Sequence, residues 1–529
     1  HNKMLPWCSP YLLSIFLLSC VVATTPCHGN DSASKGSCTG DDAVDQFVGE
    51  DIAHDFYLLQ TSIVMNQTMV PLQKEVVAGT VLLHVEPEEA EEPADPIAVH
   101  VSWMLLGSIC FFMAIFYLVN WPDEDIRWYS WEIIGLSLDI FVGVLVFDSL
   151  NGCLTYYAGQ WQYSGAAKLP WAIAHMLMWI IVMQIVLMFV AGGHYSGAAP
   201  SKTHQPESSI EGGPEALPLA KTHLHAQELN VKCFSGILAH VAAFAAVEVC
   251  LLLQHHPFFS SSALHALLVA PIVFFFIWLI FMMMYAIRDA IIKRDGKVTH
   301  GQELWDEETQ EAENDVISFA ISFALVNALQ FGLLGELPDE EELMGTKPKR
   351  TMYVKDILGL FVAAFFIGVA IIILSYLLGG LQDIRSRFMV VSVELLSMCF
   401  AWMLLGDAKV LAAFLDPNID FEKIDVKIRL ALVLTIWSFA IIIGLEKLAE
   451  TMMRGGKMHQ ALVKVILSQG VLVGFSWEQC FFQAVENVSS FDGPWGQLAC
   501  SMMLCAIVVP AYRYHILPKI VSASANAES

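Results

Sequence analysis

The sequence predicts an all-α, polytopic helical membrane protein with about eleven transmembrane helices after an N-terminal signal peptide. Of its 529 residues, 56% are hydrophobic and only 15% are charged, whereas soluble chains carry roughly a quarter charged residues. About eleven apolar stretches follow residue 97, and each is long enough to cross a bilayer as a helix of roughly 20 residues. The apolar runs are continuous rather than alternating, which indicates helices rather than strands.

The apolar stretches fall into two blocks, five within 98–287 and six within 315–516. Between the blocks, residues 288–314 are basic and then acidic, which predicts a charged cytoplasmic loop. Residues 193–232 are rich in Gly, Pro, Ser and Ala, which predicts an inner linker within the first block. A cytoplasmic tail is expected over 517–529. The stretches lie at about 98–120, 132–154, 170–192, 233–254, 260–287, 315–335, 356–379, 388–406, 428–446, 459–478 and 495–516.

The N-terminus has the pattern of a secretory signal peptide. Residues 4–23 contain a short apolar core that ends in Val21-x-Ala23, which suits signal-peptidase cleavage. Residues 24–97 are strongly acidic and are predicted to be extracellular or lumenal. The candidate modification sites there are Asn30 and Asn66 for N-glycosylation, and Cys27 with Cys38 for a small disulfide.

The distribution of Lys and Arg predicts the orientation of the chain. If the N-terminal segment is outside, the inward-facing loops and their flanks carry about sixteen basic residues, against about nine on the other side. The glycosylation sequon at Asn487 falls in an outward-facing loop of the same arrangement. We therefore expect an integral membrane protein of the secretory pathway, with its N-terminus outside and its C-terminus in the cytoplasm; the destination membrane stays open.

The formal net charge of −25 favours cations over nucleic acid as partners. The lipid bilayer and a small cation or proton are therefore the expected partners, and assembly with a second copy of the chain stays open. The twelve Cys form no CxxC pair, so the sequence specifies no cofactor. His223 and His225, in the segment THLHAQ, are a weak candidate for loose binding of a divalent metal.

Embedded carboxylates are the unusual feature of the apolar stretches. The stretch 132–154 contains Asp139 and Asp148 among Leu, Ile, Val and Phe, and it has no basic residue. A charge at the bilayer centre costs a few kcal/mol. On a helix the two carboxylates are about 13 Å apart along the axis and about half a turn apart around it. They therefore predict sites at two depths.

Other stretches supply polar residues at matching depths. Counting from the helix ends places Glu394 near Asp139, in an inner acidic station, and Glu248 near Asp148 further out. The remaining predicted pathway residues are Asn327 and Gln330, one helical turn apart. A carboxyl in a low-dielectric medium favours its protonated form. This set predicts a transporter or channel for a cation, with proton coupling left open.

Two other classes of function stay open. A membrane-embedded enzyme, acyltransferase-like or haem-bearing, would use His175, His240 or His265. A non-catalytic scaffold would use its carboxyls only as hydrogen bonds between helices. A transport route should bring the carboxylates to one polar cavity, whereas an enzyme should place a His beside a carboxylate or Asn at an open cleft.

Overall fold

The computed structural model describes the chain from residue 109 onward, with gaps. The described residues are 109, 111, 113–159, 168–192, 216–294, 298–337, 354–378, 387–416, 419–421, 423–451, 456–489 and 493–528. The signal peptide, the acidic segment with Cys27, Cys38, Asn30 and Asn66, and most of the first apolar stretch lie outside them. Across the described residues the chain is helical, without β-strands.

Ten helical segments within the described ranges are long and apolar enough to cross a membrane. They correspond to ten of the predicted apolar stretches, which confirms the all-α polytopic membrane fold. The helices are α1 Glu124–Gly159, α2 Lys168–Val190, α3 Ala216–Gln254, α4 Ala263–Leu267, α5 Val269–Arg294, α6 His300–Leu334, α7 Val354–Leu378, α8 Arg387–Leu415, α9 Ile424–Glu450, α10 Lys457–Ser489, α11 Gly493–Ala511 and α12 Leu517–Glu528. Helices α4 and α5 share one span, and a π-helix, Tyr512–Ile516, joins α11 to α12.

Much of the two segments predicted as a linker and a loop is helical. Helix α3 begins at Ala216, inside the predicted linker, and α5 and α6 extend through most of 288–314. A capping box starts α6: the Thr299 hydroxyl accepts the Gln302 N–H, and Gln302 Oε1 accepts the Thr299 N–H. Helix α6 ends at Gly335, whose φ of 80° suits glycine. Local capping therefore places the helix start inside a charged run.

Polar contacts join neighbouring helices at both ends of the bundle. At one end, Gln227 of α3 donates to the carbonyl of Ala191, which follows α2 (2.5 Å). We call this the linker end. At the opposite end, Gln254 of α3 donates to the carbonyl of Ala324 in α6 (2.8 Å). We call this the α4 end, because Gln254 also donates to Ala266 of α4.

Five helices, α1, α3, α6, α8 and α10, form a parallel core. In each neighbouring pair the contacting residues rise together along both helices, as parallel packing requires. The contacts are Asp139 with Gly236, Gly143 with His240, Cys250 with Ala320, Gln254 with Ala324, Asn314 with Arg387, Ser322 with Cys399, Ile133 with Gly470 and Ile140 with Gly474. All five helices run from the linker end to the α4 end. Polar and charged residues on different helices therefore meet wherever their positions along this core coincide.

Candidate functional site

The carboxyl group of Asp139 is enclosed by three elements of the bundle. Tyr512, the first residue of the π-helix, donates its hydroxyl to Asp139 Oδ2 (2.9 Å). The other oxygen, Oδ1, is buried and has no hydrogen-bond partner among the described residues. Gly236 of α3 permits this approach, because a Cβ at that position would lie 2.7 Å from Oδ2 and 2.9 Å from Cγ. Among the described residues, the fold thus gives a hydrogen bond to one oxygen of this carboxylate and none to the other.

Adding a methyl group at Gly236 is expected to displace the Asp139 carboxyl. The Gly236→Ala variant should lose about 1–3 kcal/mol of its free energy of unfolding, because the new methyl overlaps a packed side chain. The matched control is Gly444→Ala in α9, where nothing lies within 4 Å of the new Cβ. Thermal unfolding in detergent should show the control unchanged or slightly stabilised, because alanine favours helix. Equal transition temperatures for both variants would contradict the enclosure of Asp139.

Asp139 belongs to a first acidic cluster, defined as Asp139, Asp315 and Glu394. The carboxyls of Asp139 and Glu394 both interact electrostatically with that of Asp315 in α6. Glu394 also has a buried oxygen, Oε2, without a hydrogen-bond partner in the described part of the chain. Lys464 and Arg387 act on Glu394 from nearby. Sequence reasoning missed Asp315, because it lies where the charged segment passes into the apolar stretch.

A second acidic cluster, defined as Asp148, Glu248 and Glu478, lies nearer the α4 end. The carboxyls of Glu248 in α3 and Glu478 in α10 interact electrostatically with that of Asp148 in α1. Two lysines, Lys409 and Lys427, act on Glu478. Sequence reasoning missed Glu478, because it is the last residue of a predicted stretch and reads as the start of a loop.

One histidine adjoins the second acidic cluster. His175 of α2 is buried, and its Nδ1 lies 3.9 Å from Oε2 of Glu248. The indole N–H of Trp179, one turn further along α2, donates to His175 Nε2 (2.9 Å). His240 instead bonds the carbonyl of its own helix at Gly236 (2.8 Å). Of these two histidines, only His175 lies beside a carboxylate.

A layer of aromatic side chains crosses the middle of the core. This aromatic layer consists of Phe147, Phe244, Phe319, Phe323, Trp402 and Phe475, all of them buried. Phe319 is central: its ring centroid lies 5.0 Å from that of Phe244 and 5.2 Å from that of Phe475. Trp402 stacks on Phe475 at 3.9 Å between ring centroids. Five helices therefore contribute rings to one continuous apolar layer.

The aromatic layer lies between the two acidic clusters. On parallel helices, sequence position measures depth. In α6, Phe319 follows Asp315 by four residues, which is about 6 Å toward the α4 end. In α3, Phe244 precedes Glu248 by the same number of residues. The first cluster therefore lies on the linker side of the layer, and the second lies on the α4 side.

A buried ion-pair network centred on Glu313 joins four helices at the linker end. Oε1 of Glu313 accepts from Arg288 (3.0 Å) and from Gln184 (2.8 Å), and Oε2 accepts from Arg387 (2.7 Å). Arg288 also donates to Asp306 (2.6 Å). The side chain of Glu313 is 0% exposed and that of Arg288 is 1% exposed. The network therefore bridges α2, α5, α6 and α8, and its centre, the pair of Arg288 and Glu313, is buried.

Sequence reasoning missed the pairing of Glu313 with Arg288 and Arg387. The sequence pattern places Arg288 and Glu313 together in a loop, because runs of charged residues are usually solvated. Instead they lie on α5 and α6 and pair across the bundle. One signal could have found them. Arg288 lies near the end of one apolar helix and Glu313 lies before the apolar part of the next, which runs in the opposite direction, so both fall at the same end of the bundle.

The remaining predicted pathway residues contact other polar or packing groups. Asn327 donates to Gln254 Oε1 at 3.5 Å, and Gln330 packs against Gly406. A cavity of about 460 Å³ lies between α8 and α9, with Asp420 and Arg429 among its lining residues and none of the predicted pathway residues. Among the described residues, the predicted pathway residues therefore form two clusters and two separate contacts rather than the lining of this cavity.

Within the described residues, the candidate metal residues His223 and His225 and the candidate glycosylation residue Asn487 lie toward helix ends. His223 lies in the early turns of α3, and His225 is exposed, with Nδ1 at 4.0 Å from Glu228. In the part of the chain that the structure describes, no group of three or more His, Cys, Asp or Glu side chains is arranged to hold a metal ion. Asn487 is exposed in the last helical turns of α10. His265 contacts Ser261 and Ser262 near the start of α4.

The fold and the clusters define an all-α polytopic membrane protein with paired acidic sites in its core. No family model, characterised protein or solved structure matches this chain. Its function must therefore be inferred from its own side chains.

Proposed function

We propose that this chain transports or conducts a proton or small cation across a membrane, through the two acidic clusters. The observation that carries the proposal is the placement of the clusters on opposite sides of one aromatic layer, within the same parallel core. A charged residue is costly inside a bilayer, and such residues ordinarily mark ion or proton pathways. Two acidic sites at different depths, with an apolar barrier between them, suit stepwise movement of a positive charge.

Unpartnered oxygens favour this reading over a purely structural role. A carboxyl that only joins helices satisfies its oxygens with hydrogen bonds, because a buried unsatisfied acceptor costs about 1–3 kcal/mol. Three carboxyls of the clusters each have one buried oxygen without such a bond among the described residues: Asp139 Oδ1, Glu248 Oε2 and Glu394 Oε2. Each can receive a proton or contribute one oxygen ligand to a cation.

The proposal includes an orientation. Lys and Arg counts and the sequon at Asn487 support a cytoplasmic linker end and an extracytoplasmic α4 end. In that orientation the first acidic cluster is the inner station and the second is the outer station. Entry into the secretory pathway through the signal peptide of residues 4–23, and glycosylation of the outer segments, belong to the same proposal.

Flux in proteoliposomes tests the proposal. The purified protein is reconstituted, a proton gradient is imposed, and internal pH is followed with Na⁺, K⁺, Ca²⁺ and Zn²⁺ offered in turn. We expect proton movement that falls on the order of a hundredfold in Asp139→Asn and in Glu394→Gln, because each variant removes a proton-accepting oxygen. The ion that changes the proton movement identifies the coupled cation.

The control is Asp425→Asn, which makes the same chemical change at an exposed position in the first turn of α9. It should transport like the wild type. Circular dichroism and size-exclusion profiles must match across the variants. Folded wild-type protein that moves no ion under any condition would overturn the proposal and favour the enzyme or scaffold alternatives. Unchanged flux in both cluster variants would also overturn it.

A further inference from the structure

His175 is held in a single chemical state by its neighbour on α2. The Trp179 indole can only donate, and it donates to His175 Nε2 at 2.9 Å. An imidazole nitrogen that accepts a hydrogen bond carries no proton, so the neutral ring must carry its proton on Nδ1. Protonating Nε2 would place two N–H groups against each other. The ring is also buried and stacks on Phe147, with centroids 5.5 Å apart.

The protonated nitrogen of His175 faces the second acidic cluster. Nδ1 lies 3.9 Å from Glu248 Oε2, and neither atom has a hydrogen-bond partner in the described structure. A shift of about 1 Å brings the two atoms to hydrogen-bond distance. The Glu248 side chain is 31% exposed, so it is the more accessible member of this pair.

We propose that His175 is a positioning residue for Glu248: a neutral imidazole, fixed as the Nδ1–H tautomer by Trp179, that directs its N–H to the Glu248 carboxyl. This inference rests on the proposed function for its role in ion movement, because Glu248 is then the group that receives the proton or cation. Glu248 shares this cluster with Asp148, whose carboxyl also interacts electrostatically with Glu478 and Glu486.

Nitrogen-15 NMR of histidine-labelled full-length protein tests the tautomer. Signals of His175 are assigned as those that disappear in His175→Gln. We expect an Nδ1–H pattern in the wild type, because Trp179 donates to Nε2. In Trp179→Phe that donor is gone, and the signals should shift toward a mixture of the Nδ1–H and Nε2–H tautomers. An Nε2–H pattern in the wild type, or an unchanged Nδ1–H pattern in Trp179→Phe, would overturn the proposal.

The pairing with Glu248 has a separate readout. Glu248→Gln should move the His175 Nδ1 signal, whereas the matched control Glu450→Gln, at the exposed last residue of α9, should not. An unmoved signal in Glu248→Gln contradicts the pairing. Because neither spectrum depends on transport, a chain that shows both signatures but moves no ion would overturn the proposed function and leave the pairing standing.

Discussion

The Glu313→Gln variant is expected to lose about 3–5 kcal/mol of its free energy of unfolding. The substitution keeps the shape of the side chain and removes only its charge. Arg288 and Arg387 both donate to this carboxylate, so both lose their shared anion inside the bundle. Removing one partner of a buried pair leaves an uncompensated charge, which costs far more than the pair itself contributes. Thermal unfolding and SDS titration of the purified protein measure the loss.

An exposed ion pair provides the control for this prediction. Asp425→Asn removes the partner of Arg429, and both side chains are largely exposed (47% and 71%). An exposed pair of this kind contributes about 0–1 kcal/mol. The double variant Arg288→Met with Glu313→Leu should lose less stability than the two single variants added together, because Arg288 and Glu313 no longer leave each other's charge unpaired; Arg387 loses its partner in the double variant and in Glu313→Leu alike. A Glu313→Gln variant as stable as the control would show that the network is not buried in solution.

The fold class could be predicted because bilayer length and backbone hydrogen bonding leave few choices for continuous apolar runs. Ten predicted stretches correspond to spanning helices in the described structure. The ends of the helices could not be predicted from hydropathy. Helix α3 begins at Ala216 and α6 at His300, both within charged or Gly-rich segments, because capping and ion pairing across helices satisfy groups that a single sequence window treats as solvated.

The candidate site, like the fold, could be predicted from the sequence only in part. Depth along a helix can be read from sequence: Asp139 and Glu394 both interact electrostatically with Asp315, and Glu248 interacts with Asp148. Their role as two stations of a pathway stays a prediction. The side chains that each of these carboxyls faces across the helix interface could not be predicted from the sequence. Only packing reveals that Gly236 makes room for a carboxyl and that a π-helix presents Tyr512 to it.

The cluster residues that sequence reasoning missed lie at the borders of apolar stretches. A polar residue at such a border belongs either to a solvated loop or to a helix face buried in the bundle. In the sequence, Asp315 directly follows a predicted loop and Glu478 directly precedes one. Each is instead part of a helix that continues past it in both directions. A residue at such a border faces either solvent or the bundle, and the direction depends on the rotation of the whole helix. Long-range packing sets that rotation, so no local pattern reports it.

Removing the central ring of the aromatic layer is expected to have the second large effect on the free energy of unfolding. Phe319 contacts the rings of Phe244, Trp402 and Phe475, and Phe319→Ala should cost about 3–5 kcal/mol through lost contacts and a cavity. The matched control is Phe365→Ala in α7, whose ring is 66% exposed on the outer surface of the bundle. Lipid tails or detergent replace the contacts that the control loses, so its transition temperature should change little.

A second substitution at Phe319 separates packing from the barrier between the acidic clusters. An apolar cavity stays dry, so Phe319→Ala should lose stability without admitting a chain of water. Phe319→Gln places an amide at the same point, within reach of water from either cluster, and should add a proton leak to the loss of stability. Proteoliposomes carrying each variant, with a trapped pH dye and an imposed proton gradient, measure that leak. Equal leaks in Phe319→Gln and Phe365→Ala, with Phe319→Gln folded, would mean that the aromatic layer packs the core without dividing the two acidic stations.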